Sequence, residues 1–216
     1  MNHDALVEAC RNLALFPLPG VVMLPGLMMP LHVFEPRYRR LVLDCLAESR
    51  PLAVPQIMPG HEVRAPDSPP LLSYAGVGFI AGHRERPDGR FDILLQPLGR
   101  VRLGAEIAGD APYRSCDAEL LQDTEVDPDQ LRRVGERIRA RLLLLLERSG
   151  ERGEGLARMV REARPGSLAD GAAGLVLDDA EVRQQFLAEN DALRRAAMVE
   201  EALCLRSLDP SAAAEA

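Results

Sequence analysis

Apolar and polar positions alternate with a period of two from residue 75 to residue 120 and recur with a period near 3.6 after Thr124, so the chain reads as a β-rich half followed by a helical half. The alternation is plainest where Ala75, Val77, Phe79 and Ala81 are interleaved with Gly76, Gly78 and Gly82. One face of that strand carries side chains, and the other is bare enough for a second backbone to approach closely, as in a bent barrel strand. Pro87-Asp88-Gly89 supplies a turn, proline fixing the entry φ and glycine allowing a positive one. Phe91, Ile93 and Leu95, then Val101, Leu103, Ala105 and Ile107, and finally Cys116, Ala118 and Leu120 continue the period as successive strands of a meander with one face in the core.

Ahead of these strands, Pro17, Pro19, Pro25 and Pro30 forbid a helix through residues 11 to 34, which therefore reads as strand and loop. Glu35-Pro36 then opens a helix with Glu35 as its cap, and Tyr38, Leu41, Val42, Cys45 and Leu46 give it one buried face until about Ser49. Leu52, Val54 and Ile57 predict a strand, and Gly60 to Pro70 a polar surface loop. In the second half, Asp127-Pro128 starts a long helix with the stripe Leu131, Val134, Ile138, Leu142 and Leu145, closing near Ser149-Gly150. A glycine-rich break (Gly150, Gly153, Gly155) precedes a short helix using Leu156, Met159 and Val160, which stops at Pro165. Ser167-x-x-Asp170 has the form of a capping box. Two more helices follow, one capped by Asp178 or Asp179 with Val182 and Phe186 inside, the other carrying Ala192, Ala196, Val199 and Leu203 on one face. The alanine-rich tail from Asp209 lacks periodicity and is expected to fray. The division predicted is residues 1–125, β-rich with one helix near 36–49, and residues 126–216, helical.

Composition narrows the chemistry. With 47% hydrophobic and 27% charged residues over 216 positions, the chain has the balance of an ordinary globular protein. Its formal charge of -7, from 26 basic and 33 acidic residues, repels phosphate backbones and anionic lipid and so disfavours nucleic acid as a partner. The arginine runs at Arg37, Arg39 and Arg40 and from Arg132 to Arg141 read as solvated helix faces with acids nearby. No apolar run approaches the ~20 residues a membrane span needs, and the N-terminus lacks a signal-peptide pattern, so the expected location is cytoplasmic, away from membranes. Cys10, Cys45, Cys116 and Cys204 stand far apart with no CxxC spacing, and read as small apolar residues in a reducing compartment.

All 26 basic residues are arginine. Without lysine the chain has neither a Walker-type phosphate loop, a Schiff base nor a Ser-Lys pair, because arginine does not deprotonate near neutral pH. His3, His32, His61 and His83 show no metal-ligand spacing, and GxSxG is absent. Gly76-x-Gly78 lies inside a strand where a dinucleotide fingerprint would open a helix. The reading is of a chain with no catalytic residues, no cofactor and no metal.

The segment Phe16-Pro17-Leu18-Pro19-Gly20-Val21-Val22, followed by Pro25-Gly26 and by Pro30-Leu31-His32-Val33-Phe34-Glu35-Pro36-Arg37-Tyr38, resembles the opening of the Lon-protease N-terminal (substrate-binding) domain family. The resemblance continues through Pro87-Asp88-Gly89-Arg90 and Gly99-Arg100-Val101-Arg102, and more loosely through Leu168-Ala169-Asp170, covering roughly residues 11 to 207. It implies an α+β architecture, a PUA-like β-barrel joined to an α-helical bundle. In the full-length protease this region precedes an ATPase and a serine-lysine peptidase domain; here the chain ends where they would begin. The expectation is a stand-alone, non-catalytic module that binds unfolded or exposed hydrophobic polypeptide segments.

Two sets of residues are candidates for the site. Phe34, Glu35, Arg37 and Tyr38 carry the family motif, which reads either as a peptide-contacting site or as architecture; architecture is favoured, since Glu35 caps, Tyr38 packs with its hydroxyl at a polar edge, and Arg37 is placed to pair with a carboxylate. Met23, Leu24, Leu27, Met28 and Met29, around the Pro25-Gly26 turn, form a Met-rich stretch whose flexible thioethers suit varied apolar sequences, with two or three of the five expected at the surface. Exposed apolar loops would also allow a homodimer. The competing classes are an RNA-binding PUA-like protein, resting on Arg100, Arg102 and the arginines of 132 to 141, and a small hydrolase whose Ser, His and Asp meet only on folding.

Overall fold

The computed structural model of the protein describes residues 2–61, 68–147 and 151–208. They form two compact units, Met1–Leu121 and Gln122–Ala216. Residues 122 to 127 go with the helical unit because Thr124 N–H donates to Asn190 O at 2.9 Å and Asp123 pairs with Arg195.

The first unit opens with a helix, α1 (His3–Ala9), capped by the Asn2 side chain accepting from Ala5 N–H at 2.9 Å. After one 3₁₀ turn come β1 (Leu13–Leu15) and β2 (Met29–Val33), then α2 (Pro36–Glu48), β3 (Leu52–Ile57), β4 (Leu71–Glu85), β5 (Phe91–Ile107) and β6 (Ser115–Leu120). The single sheet runs β2-β5-β4-β3-β1-β6, and β5 also pairs with β6. β1, β3, β4, β5 and β6 thus close into a ring, completed by two-residue ladders: β1 parallel to β3 through Ala14 and Leu15, and antiparallel to β6 through Leu13 and Ala14. β2 lies outside the ring against the first five residues of β5. The expected barrel is therefore present as a ring with a short seam and one extra strand.

Two cores fill this unit. Inside the ring, Leu13, Leu15, Ala53, Ala75, Val77, Val101 and Cys116 pack with Leu6 and Cys10 from the N-terminal helical segment. On the other side of the sheet, α2 lays Tyr38, Leu41, Val42 and Cys45 onto Leu52, Val54, Phe91, Ile93 and Leu95. β3 is buried along its whole length because its two faces belong to different cores. α2 ends at Ser49, whose φ of 52° puts a left-handed residue where helices stop.

The strands depart from the expected meander in two places. β5 is one continuous strand, because Pro97 falls opposite a register shift at Val77/Gly78 and no ladder donor is missed there. A second shift between Ile80 and Gly82 moves the core contact of β4 to Ile80, leaving Ala81 exposed where strict alternation would bury it. The hairpin at Pro87-Asp88-Gly89 closes as predicted, with Gly89 at φ 74° and Arg86 N–H donating to Arg90 O at 2.8 Å.

The helical unit comprises α3 (Pro128–Glu147), α4 (Glu151–Glu162), α5 (Leu168–Val176), α6 (Ala180–Ala188) and α7 (Ala192–Leu208). α3 buries Ile138 and Leu142, and α7 buries Ala192, Ala196, Val199 and Leu203, the face read from its spacing. α4 differs from the expectation: it runs through Gly153 and Gly155, and its buried residues are Gly153, Ala157 and Val160, with Met159 exposed. The capping box is also overturned. Ser167 donates its hydroxyl to Arg164 O at 3.0 Å, and Asp170 turns to Arg195, because a buried guanidinium binds a carboxylate better than a helix-end N–H does. Asp179 caps α6 by accepting from Glu181 and Val182 N–H at 2.8 and 3.0 Å. The expected ends of the long helix near Ser149-Gly150 and of the chain after Asp209 lie outside the described residues, as does most of the loop between Gly60 and Pro70.

Burial pushes the thiols of Cys10 and Cys116 up to about 11 and that of Cys45 up to about 12. Cys204 is the one cysteine with partial exposure. Titration of the native protein with a thiol reagent at pH 8 is expected to modify one cysteine rapidly and the other three only after denaturant is added. Rapid reaction of two or more without denaturant would contradict the burial described.

Candidate functional site

The Met-rich stretch divides between core and surface. Met23 is fully buried and Leu24 nearly so; Leu27 and Met29 are half-buried; only Met28, at 43% exposure, faces solvent. The reason is β4: a Cβ at Gly76 would lie 2.1 Å from the Met23 carbonyl oxygen, so the bare glycine face is the slot that receives the Met23 backbone. Two of the five candidates are thereby removed from any contact surface, and one of the five is exposed where two or three were expected.

What replaces them is a face of the β2–β5 ladder. Alternate residues of a strand share a side, so Pro30 and His32 of β2 stand on the solvent side, opposite Leu94 and Asp92 of β5 in the register. Phe34, just past β2, is 59% exposed and Leu94 37%. The Phe34 ring stacks on that of His32, centroids 6.3 Å apart. Further along the face, Gly82 pairs with Leu94, and a Cβ there would meet only the Leu94 side chain, at 3.9 Å, so the surface is shallow and open. Met28, Pro30, Phe34 and Leu94 are thus exposed apolar residues in or next to this ladder.

One side of this apolar strip is polar and fixed. Asp92 accepts from His32 Nδ1 at 2.8 Å, from Arg86 at 2.9 Å and from Arg84 at 3.1 Å. The hydrogen bond from His32, then those from Arg86 and Arg84, hold the Asp92 carboxyl well below the usual carboxylate range. The arginine stems extend apolar cover while their heads stay in water.

The family-motif residues split in the same way. Phe34 is exposed and is part of neither core cluster. Glu35 sits at the N-cap of α2, and its carbonyl accepts from Arg39 N–H, but its carboxylate takes Arg37 Nε at 2.9 Å and caps no N–H. Arg37 in turn lies 4.6 Å over the Tyr38 ring, and Tyr38 meets Phe16 edge-on at 4.5 Å. These three residues fix the entry to α2 and so the position of Phe34. Sequence reading did not single out Leu94, since strand register, which places Leu94 beside Pro30, is set by a pairing of distant segments.

Most of the arginines that would motivate RNA contacts are engaged, Arg133 being exposed without a described partner. Arg100 is buried; Arg102 pairs with Glu119, Arg132 with Asp129, Arg137 with Glu200 and Arg139 with Glu136. Among the described residues, no three His, Cys, Asp or Glu side chains converge as metal ligands would, and no helix is long and apolar enough to cross a membrane.

Comparison with known proteins gives a consistent result. The family model described as the ATP-dependent protease La (LON) substrate-binding domain matches residues 12–204. The chain is 32% identical over 132 residues to Lon protease 2 of Syntrophobacter fumaroxidans, covering 60% of this chain and 16% of that protein. It is 26% identical over 192 residues to the Lon protease of Paraburkholderia phytofirmans, covering 85% and 23%. The chain thus spans about a fifth of these relatives' length. Among solved structures it is similar to the N-terminal domain of Mycobacterium avium complex Lon protease, with a TM-score of 0.69, 19% identity and coverage of 89% and 98%. It also matches a Lon N-terminal domain protein from Xanthomonas campestris, with a TM-score of 0.61, 24% identity and coverage of 88% and 97%.

Proposed function

The chain belongs to the Lon substrate-binding domain family, and from that premise we propose that it holds apolar polypeptide segments on the solvent face of β2 and β5, without ATPase or peptidase activity of its own. The observation that carries this reading is the set of exposed apolar residues Met28, Pro30, Phe34 and Leu94 in or next to the β2–β5 ladder. Exposed aromatic and thioether groups at one place favour binding by apolar contact, since isolated surface apolar residues are ordinary but clustered ones are associated with contact sites. The absence of lysine and of nucleophile motifs supports the non-catalytic part. The polypeptide itself is read as unfolded or locally exposed, because a shallow face grips short apolar stretches, and a cytoplasmic setting suits the unpaired cysteines.

The test is binding of fluorescently labelled, reduced and carboxymethylated polypeptide by anisotropy. Phe34→Asp is expected to weaken binding by about tenfold or more, as loss of a central aromatic contact does. Its thermal midpoint should stay close to that of the parent, because the side chain makes little of the core. Unchanged affinity with an unchanged midpoint would remove this face from consideration.

A further inference from the structure

α7 carries two apolar stripes. One, with Val199 and Leu203, is core; the other, with Met198, Ala202 and Leu205 at helical spacing, is half-buried at Met198 and Ala202 and exposed at Leu205. Leu205 is 62% exposed, the equal of any large apolar side chain among the described residues. This second stripe and Val182 of α6 form the two walls of a groove of about 440 Å³, floored by Val176 and Leu177 at the end of α5. That volume falls within the range of sites that take several side chains of a ligand.

The rim is acidic. Asp178, Asp179 and Glu201 are the charged residues of its lining. Asp178 is neutralised by Arg206, and Asp179 spends one carboxylate oxygen on the N-cap, leaving the second oxygen unused by that cap. Glu201 has no ion pair among the described residues and is exposed. We infer that this groove is a second docking site, distinct from the β2–β5 face, for an amphipathic helical segment of another protein that carries aliphatic residues one turn apart and a basic residue beside them. The aliphatic groups would fill the space between Val182 and Leu205, and the cation would reach Glu201 and the second oxygen of Asp179. A helix laid in a groove between two helices is a recurrent recognition mode, read as anchors at i, i+3 or i+4, and i+7. The charge on the rim decides the sign of the partner, since an acidic segment would meet Glu201 and Asp179 in repulsion.

The full chain should be titrated with two labelled model helices of about twelve residues, sharing a leucine stripe at i, i+4 and i+7, one with arginine and one with glutamate at the flanking positions. The arginine helix is expected to bind at least about tenfold more tightly than the glutamate helix, with the difference shrinking as salt rises. Leu205→Asp should abolish this binding, and Glu201→Arg should weaken the arginine helix and strengthen the glutamate helix. Neither variant should alter binding of unfolded polypeptide at Phe34, so failure here and failure there are separate results. Equal affinity for the two helices, insensitivity to Leu205→Asp, or no binding of either would overturn the inference. So would a concentration-dependent dimer that Leu205→Asp dissolves, which would make a second copy the occupant.

Discussion

Arg195→Ala is expected to lower the stability of the helical unit by about 3 kcal/mol, the low end of the cost of breaking a buried ion pair. The guanidinium is 2% exposed and makes every contact its shape allows: Nε and Nη2 to the Asp170 carboxylate, Nη1 and Nη2 to Asp123, and Nη1 to Glu189 O. It also lies 5.8 Å from the centre of the Phe186 ring. Removing it strands Asp170 in a half-buried place and opens a void beside Phe186. The estimate stays at the low end because Asp123 is 48% exposed and regains water. Arg195→Lys keeps the charge but loses the fork, so it should fall between the two. Urea unfolding followed by far-UV circular dichroism measures both; a loss under about 1 kcal/mol for the alanine variant would mean the network is no more than a surface pair.

Gly76→Ala is expected to cost about as much, for a different reason. The new Cβ would stand 2.1 Å from the Met23 carbonyl oxygen, 2.9 Å from its Cβ and 3.0 Å from its carbonyl carbon. Two of those three are backbone, so no rotamer change relieves the clash, and either β4 or the segment carrying Met23 has to move. Forcing volume into a packed place costs about 1–3 kcal/mol, and displaced backbone puts this case at the top. Gly82→Ala, where the nearest atom would be 3.9 Å away, is the control and should be near neutral. Equal midpoints for the two variants in the same unfolding experiment would contradict the packing described.

The contrast between these positions shows what the linear sequence can reveal. The glycine run in β4 announced that something approaches its bare face, which holds at Gly76 and Gly78 and not at Gly82. That the visitor is Met23 was hidden, and the same residue looked like a surface candidate. Local signals succeeded where the cause is local: the proline-started helix α2, the hairpin at Gly89 and the Asp179 cap all depend on residues within a few positions. They failed where a distant partner competes. Asp170 satisfies the capping pattern yet goes to Arg195, 25 positions away. Two register shifts in the β4–β5 pairing let Pro97 pass and exchange Ala81 for Ile80. Gly153 and Gly155 look like a break but lie within α4, where Gly153 is buried. Of the face proposed for contact, Met28 and Phe34 were singled out in the sequence, but Leu94 joins them only through the ladder.

Among the described residues β2 has no strand on the side away from β5, and neither do residues 79–85 of β4, which run past the end of β3; within β2, Pro30 has no N–H to offer. A visiting chain cannot extend this sheet by main-chain pairing across that proline. At Pro30, contact with a neighbouring segment therefore falls to side chains, whereas the edge of β4 at residues 79–85 keeps its main-chain groups.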